Sequence, residues 1–425
     1  MPLPPRRIPR RTPSRLPRLA RPVAPKLAHQ IAADDVRRPL WRHPATIAAA
    51  ALALTLGAVP FLPDGDDTGS LAPTAESTGT PGAVGRGELT PEMQREIDRV
   101  LAEGGALDRA QGRTALARAS VRCATFEGQR YCLGFGWTNQ TAEALAARLE
   151  TRPSFKRVER TGDLDADGLL ARAAGRTSTA RTEAERAELT MAARSVGKVW
   201  MLRHEIQGVE LPADFAAKHP EVTADPAVTA RGGFGDTYPE TFAIMDESQV
   251  QSQNQTYWCG PTAMQAIGWG SDQKRRNQSY WARRLGTTTA GTAITDMVRV
   301  VNNKTTYDDE THAGPYVVLD ISDFTFKQWY RLMMRHIHDY QAPVVLHPVL
   351  LKQYYPYLDD DASGHFQVGR GFDQDPDSNP KLGYFEPWDQ SRFDPSEPAI
   401  GRVQWRNAYK AYRANLDHFQ HNVGV

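Results

Sequence analysis

A cysteine set directly before a Gly-Pro pair, at the head of an apolar run, constrains this chain more than any other stretch. In Trp258-Cys259-Gly260-Pro261-Thr262 the proline suits a first helical turn, because the N–H it lacks has no partner there. Ala263-Met264-Gln265-Ala266-Ile267 continues as an amphipathic helix. The spacing therefore predicts Cys259 at or just before a helix N-terminus. Free backbone N–H groups and the helix dipole there favour a thiolate, the form of cysteine that attacks carbonyl carbon.

The chain has three cysteines. Cys123 and Cys132 flank Glu127-Gly128, a plausible hairpin turn. With a two-residue loop Phe126 faces Gln129, and counting outward sets Cys123 opposite Cys132. That pair is of the closer, non-hydrogen-bonded kind, so a cross-strand disulfide is expected. Cys259 is then left as a lone thiol.

A disulfide fits an exported protein, and the N-terminus reads the same way. Residues 1–43 carry many arginines against only Asp34 and Asp35, and read as a disordered basic arm. Residues 44–62 are almost wholly apolar and read as a signal-anchor or signal peptide, with membrane contact through that segment. The formal net charge of +1 gives no reason to expect a nucleic-acid partner.

Residues 63–90 are rich in Gly, Pro, Ser and Thr and read as a linker. Residues 91–210 read as a small α+β region holding the Cys hairpin, with helices at 91–110, 141–150 and 181–206. Residues 211–247 read as a connection. From 248 to 425 helices come first, and strand-like runs follow at 315–319, 343–350, 365–369 and 382–385. The fold class expected is α+β. Asp163-Leu164-Asp165-Ala166-Asp167-Gly168 has the opening of a calcium loop, but Ala174 stands where a ligating glutamate is needed, so a plain acidic turn is expected. His336 and His338, two apart on a helix, point in different directions and read as surface histidines.

A cysteine nucleophile needs a base, a group to orient that base, and donors for the oxyanion. His365 opens a strand after the flexible Asp359–Gly364 stretch and is the expected base, whereas His347 reads as a satisfied core histidine. Leu382, Tyr384 and Glu386 share one strand face, so Glu386 is a candidate orienter, with Asp389 as rival and Asp373 a distant third. The Cys259 N–H is one oxyanion donor. Gln249, Gln251, Gln253, Asn254 and Gln255 all precede it as sources of a second.

Together, Gln253-x5-Cys259-Gly260-Pro261-Thr262, then Gly364-His365-Phe366, then Tyr384-Phe385-Glu386-Pro387, resemble the papain-like cysteine peptidases of the C-thirty-nine-like family over about residues 248–395. The resemblance implies a catalytic domain with N-terminal helices and a C-terminal antiparallel sheet. It implies Cys259 as nucleophile, His365 as base and Gln253 as oxyanion donor. Glu386 stands where that family usually has an aspartate, one methylene shorter. No cofactor is implied. The expected activity is hydrolysis of a peptide or protein substrate, with cell wall as a further candidate partner. The alternative is an envelope protein that binds peptide or cell wall without turnover.

Overall fold

A computed structural model describes residues 84–104, 112–151, 159–222 and 238–425, all within one unit, Pro63–Val425. The basic arm, the hydrophobic segment 44–62 and most of the linker lie outside the described residues. Among those described, no helix is long and apolar enough to cross a membrane.

The strands are β1 (Cys123–Phe126), β2 (Gln129–Cys132), β3 (Gly136–Trp137), β4 (Thr241–Ala243), β5 (Val318–Asp320), β6 (Val344–Leu346), β7 (Gln367–Asp373), β8 (Lys381–Phe385), β9 (Val403–Asn407) and β10 (Asn422–Gly424). They form one sheet in the order β1-β2-β3-β5-β10-β6-β7-β8-β9, with β4 on β7. All pairings are antiparallel except β3 with β5. The α+β class holds. Region 91–210 holds the hairpin expected of it, and through the pairing of β3 with β5 that hairpin extends the later sheet.

The helices are α1 (Pro91–Ala102), α2 (Arg113–Ser120), α3 (Ala142–Glu150), α4 (Ala166–Gly175), α5 (Ser178–Ala193), α6 (Val196–Gln207), α7 (Phe215–Lys218), α8 (Cys259–Asp272), α9 (Gln278–Leu285), α10 (Ile294–Lys304), α11 (Phe326–Met334) and α12 (Ala408–Asp417). The single helix expected over 181–206 is broken at Arg194-Ser195. The Ser195 side chain bonds back to the Met191 and Ala192 carbonyls there, competing with the helical ladder.

Strand alternation sends side chains into two cores. Val317, Leu319, Val344, Leu346, Leu382 and Tyr384 pack with α1, α5, α6, α11 and α12. Val318, Val345, Val368 and Phe385 pack with α8 and α10 on the opposite face. Every residue of α8 from Cys259 to Gly268 is buried, so this is a core helix rather than a half-exposed one. Gly268 admits the indole of Trp281 where any Cβ would collide.

Cys123 and Cys132 stand opposite each other, with Phe126 opposite Gln129, and the two sulfurs are bonded. Glu127 and Gly128 both have positive φ, at 49° and 81°, as a tight hairpin turn requires. His336 is not at the surface as expected. It is buried under the sheet and held by the Ala342 carbonyl at 3.0 Å.

Candidate active site

Three segments converge at the head of α8. Cys259 is its first residue and is fully buried. His365 lies two residues before β7, where its backbone N–H donates to Pro348 O at 2.9 Å. Glu386 follows β8. The β7–β8 register pairs Val368 with Phe385, so one step further Gln367 faces Glu386, with His365 on the same strand face.

The side chains follow that register. His365 Nε2 lies 2.7 Å from Glu386 Oε1, and both residues are fully buried. The Glu386 carboxylate also accepts from Trp388 N at 2.8 Å, Tyr357 OH at 2.7 Å and Gln367 Nε2 at 2.7 Å. Burial by itself raises its pKa, but the His365 charge and these donors outweigh that and hold it below the usual carboxylate range. Asp389, the rival orienter, instead accepts from Ser252 and Ser391, and Asp373 lies beside Lys381.

The other ring nitrogen, His365 Nδ1, is buried without a hydrogen-bond partner. A buried unsatisfied nitrogen is unusual and points to a partner met only in another state. No hydrogen bond joins it to Cys259 here. The backbone N–H groups of Phe366 and Gly260 near the Cys259 sulfur act to lower its pKa. The thiolate expected from the helix dipole is corrected by this geometry. Burial first, and the Asp163 charge second, push the Cys259 thiol well above its ordinary value.

Gln253 is fully buried. Its Nε2 donates to the carbonyls of Thr161, Gln255 and Thr256, each at 3.0 Å. The Cys259 N–H donates to the same Thr161 oxygen at 3.2 Å. The two expected oxyanion donors thus converge on one carbonyl, supplied by the chain itself. Gln249 caps a short turn, and the Asn254 side chain accepts from Arg392.

Asp163 is a site residue that sequence reasoning missed. It is fully buried rather than an acidic turn, and it accepts from His347 Nε2 at 2.8 Å and His418 Nε2 at 2.9 Å. Burial raises its pKa, but the two histidines overcome that and hold it down at about 2. His347 Nδ1 faces Asn422 Oδ1 at 2.7 Å. The ligand-capable atoms of Asp163, His347 and His418 lie within 4.8 Å of one another, the spacing of a metal site. Here they satisfy one another by hydrogen bonds. Nothing in the sequence joins these three positions except their residue types.

A cavity of about 1190 Å³ lies elsewhere, lined by residues of α4, α5, α9 and α10, and none of Cys259, His365 or Glu386 lines it.

Residues 245–415 match the Peptidase_C39 like family. No curated protein and no solved structure matches the chain. The matched span contains Gln253, Cys259, His365 and Glu386 but not Asp163, and peptidase chemistry in general is what that family points to. The segment 245–415 of this chain is a member of the Peptidase_C39 like family.

Proposed function

We propose that residues 248–425 form the papain-like domain of an exported or membrane-anchored cysteine peptidase that hydrolyses peptide bonds of a peptide or protein substrate. As the Cys259 sulfur bonds to the amide carbon its proton passes to His365 Nδ1, the Cys259 N–H and the Gln253 amide hold the oxyanion, and His365 gives that proton to the leaving amine as the C–N bond breaks. His365 then draws a proton from water, which releases the acyl group from sulfur. Glu386 holds Nε2–H of His365 and so leaves Nδ1 for proton exchange. One observation carries the reading: Gln253 and the Cys259 N–H grip a single backbone carbonyl at 3.0 and 3.2 Å, as a tetrahedral intermediate needs. The buried His365–Glu386 pair supports it.

Export and membrane attachment through residues 44–62 belong to the same proposal. The Cys123–Cys132 disulfide supports an oxidising compartment. A second reading, an envelope protein that binds peptide or cell wall without turnover, is favoured by the neutral, buried thiol. The test is hydrolysis of a peptide library, compared with purified cell wall, by the full chain and by Cys259→Ala. Cleavage that is lost in Cys259→Ala supports the peptidase. Full cleavage by Cys259→Ala sinks it, and binding without cleavage, by these proteins and by a Gly162→Ala chain alike, selects the second reading.

A further inference from the structure

We propose that residues 159–164 are a built-in inhibitor: this strand fills the peptide cleft of the cysteine site and keeps it latent until it is withdrawn. The inference rests on the reading of Cys259 and His365 as the reacting pair.

The strand bridges two walls. Glu159 pairs with Ala362 on the His365 side, and Asp163 pairs with Thr292 at the head of α10. Thr161 is fixed at every polar atom. Its N–H donates to Ser363 Oγ at 3.0 Å and its hydroxyl to Gly364 O at 2.8 Å, while its carbonyl takes Gln253 and the Cys259 N–H. Beyond it, Thr292 N donates to Gly162 O at 2.9 Å and Leu164 N to Thr292 O at 3.0 Å. Main-chain bonding of this kind is how extended peptides dock on a receptor. A purely structural strand has no need of the two donors that the chemistry requires. With both taken, a substrate carbonyl has no place to bind.

Two residues make the fit specific. Gly162 has φ of 118°, a conformation open to glycine, and a Cβ there would lie 2.5 Å from Tyr257 O. Asp163 is the anchor, its buried carboxylate shared between His347 and His418. The strand's first acid lies among like charges, Asp359, Asp360 and Asp394. One end is therefore firmly held and the other is under repulsion, which suits a segment that must leave.

The experiment is alkylation of Cys259 in the full chain by iodoacetamide, without reductant, followed by mass spectrometry. Gly162→Ala and Asp163→Asn both act on the strand and leave Cys259, His365, Gln253 and Glu386 intact. Each should raise the labelling rate about tenfold or more, in proportion to the open fraction. A synthetic peptide of residues 159–165 should slow labelling of the variants again. An unfolded variant would react without such slowing. In that event the other variant carries the test, and near-UV circular dichroism identifies which one has kept its fold. Equal labelling of parent and folded variants would overturn the proposal. So would scission of the parent chain between Thr161 and Gly162, because the strand would then be a substrate. Labelling needs no turnover, so its failure is separable from failure of the peptidase reading. Fast labelling without hydrolysis leaves the inhibitor standing and rejects the peptidase. Hydrolysis by the parent at the variants' rate does the reverse.

Discussion

Glu386→Gln isolates the orienting role. The substitution preserves shape but replaces one acceptor oxygen with a donor. Glu386 receives four hydrogen bonds, two at each oxygen: His365 and Trp388 N at Oε1, Tyr357 and Gln367 at Oε2. A glutamine must therefore turn its NH2 towards one of the two pairs. Facing His365, it demands an unprotonated Nε2 and moves the ring proton to Nδ1, the wrong tautomer for a base. Facing Gln367, it sets donor against donor in a buried place, at a cost of about 1–3 kcal/mol of stability. In a Ser-His-Asp triad the equivalent amide costs about 10⁴ in kcat. Because the second orientation preserves the tautomer, a loss of about 10²- to 10⁴-fold is expected here, or about 3–5 kcal/mol of barrier. The assay is steady-state peptide hydrolysis in the Gly162→Ala background, where the cleft is open. kcat should fall while KM stays near that of the parent. The folded-state pKa of Glu386 is lowered, so its contribution to stability is present above the unfolded value of about 4.3 and is lost as pH falls through the folded one. The stability gap between parent and variant should accordingly narrow in acid. A kcat within about threefold of the parent would refute the orienting role.

Three further outcomes follow from other residues. Lys198 is buried with no hydrogen-bond partner, and burial, aided by the Arg335 charge, pulls its amine down to about 7. Between pH 7 and 10.5 the unfolded chain binds the extra proton, so stability rises with pH across that window. Lys198→Met should add on the order of 4 kcal/mol at pH 7 and flatten that slope, measured by urea unfolding; an unchanged slope counts against this account. Cys123 and Cys132, 9 apart in sequence, close a small loop. The double serine variant should lose about 2–3 kcal/mol, read from the same urea curves, and an unaltered midpoint would show the bond to be dispensable. Glu159 is raised to about 7 by burial and by Asp360, Asp359 and Asp394. Docking of its strand should therefore weaken as pH rises through 7. Glu159→Gln should slow Cys259 labelling at pH 8 relative to the parent, and labelling at the parent rate would argue against repulsion at that end.

What could be read from the sequence is what depends on short range or on a two-residue period. The hairpin register placed Cys123 against Cys132 because a two-residue turn leaves one way to pair its strands. Glu386 fell on the correct face of β8 by alternation, and the β7–β8 register then brings it to His365. The strands β4, β9 and β10 were not legible. β4 and β10 are three residues each, too short for a period to show, and β9 mixes Gln404, Trp405 and Arg406. The join between the early hairpin and the later sheet rests on one pairing, Trp137 with Leu319, which no local pattern announces. His336 was misplaced for a related reason. It sits between Arg335 and Ile337 in the π turn that follows α11, and its burial comes from tertiary packing that no local pattern sets.

The burial of Cys259 works against its position at the head of α8. Helix position alone favours the thiolate, and that reasoning is sound for the segment 248–425 taken by itself. Part of the opposition comes from outside it, beside the packing of α8 and the Glu386 charge within it. Asp163 supplies a negative charge near the sulfur, the strand around it helps to exclude water, and the Thr161 carbonyl occupies the α8 N-terminal N–H that a developing anion would use. All three contributions belong to residues 159–164, about a hundred positions upstream of the cysteine. Withdrawal of that one strand removes the Asp163 charge, admits water and frees the donor at once. The same stretch that reads as an activated thiol in sequence is therefore held neutral in this arrangement, and displacement of residues 159–164 removes the Asp163 share of what keeps it so while Glu386 and the packing of α8 stay in place.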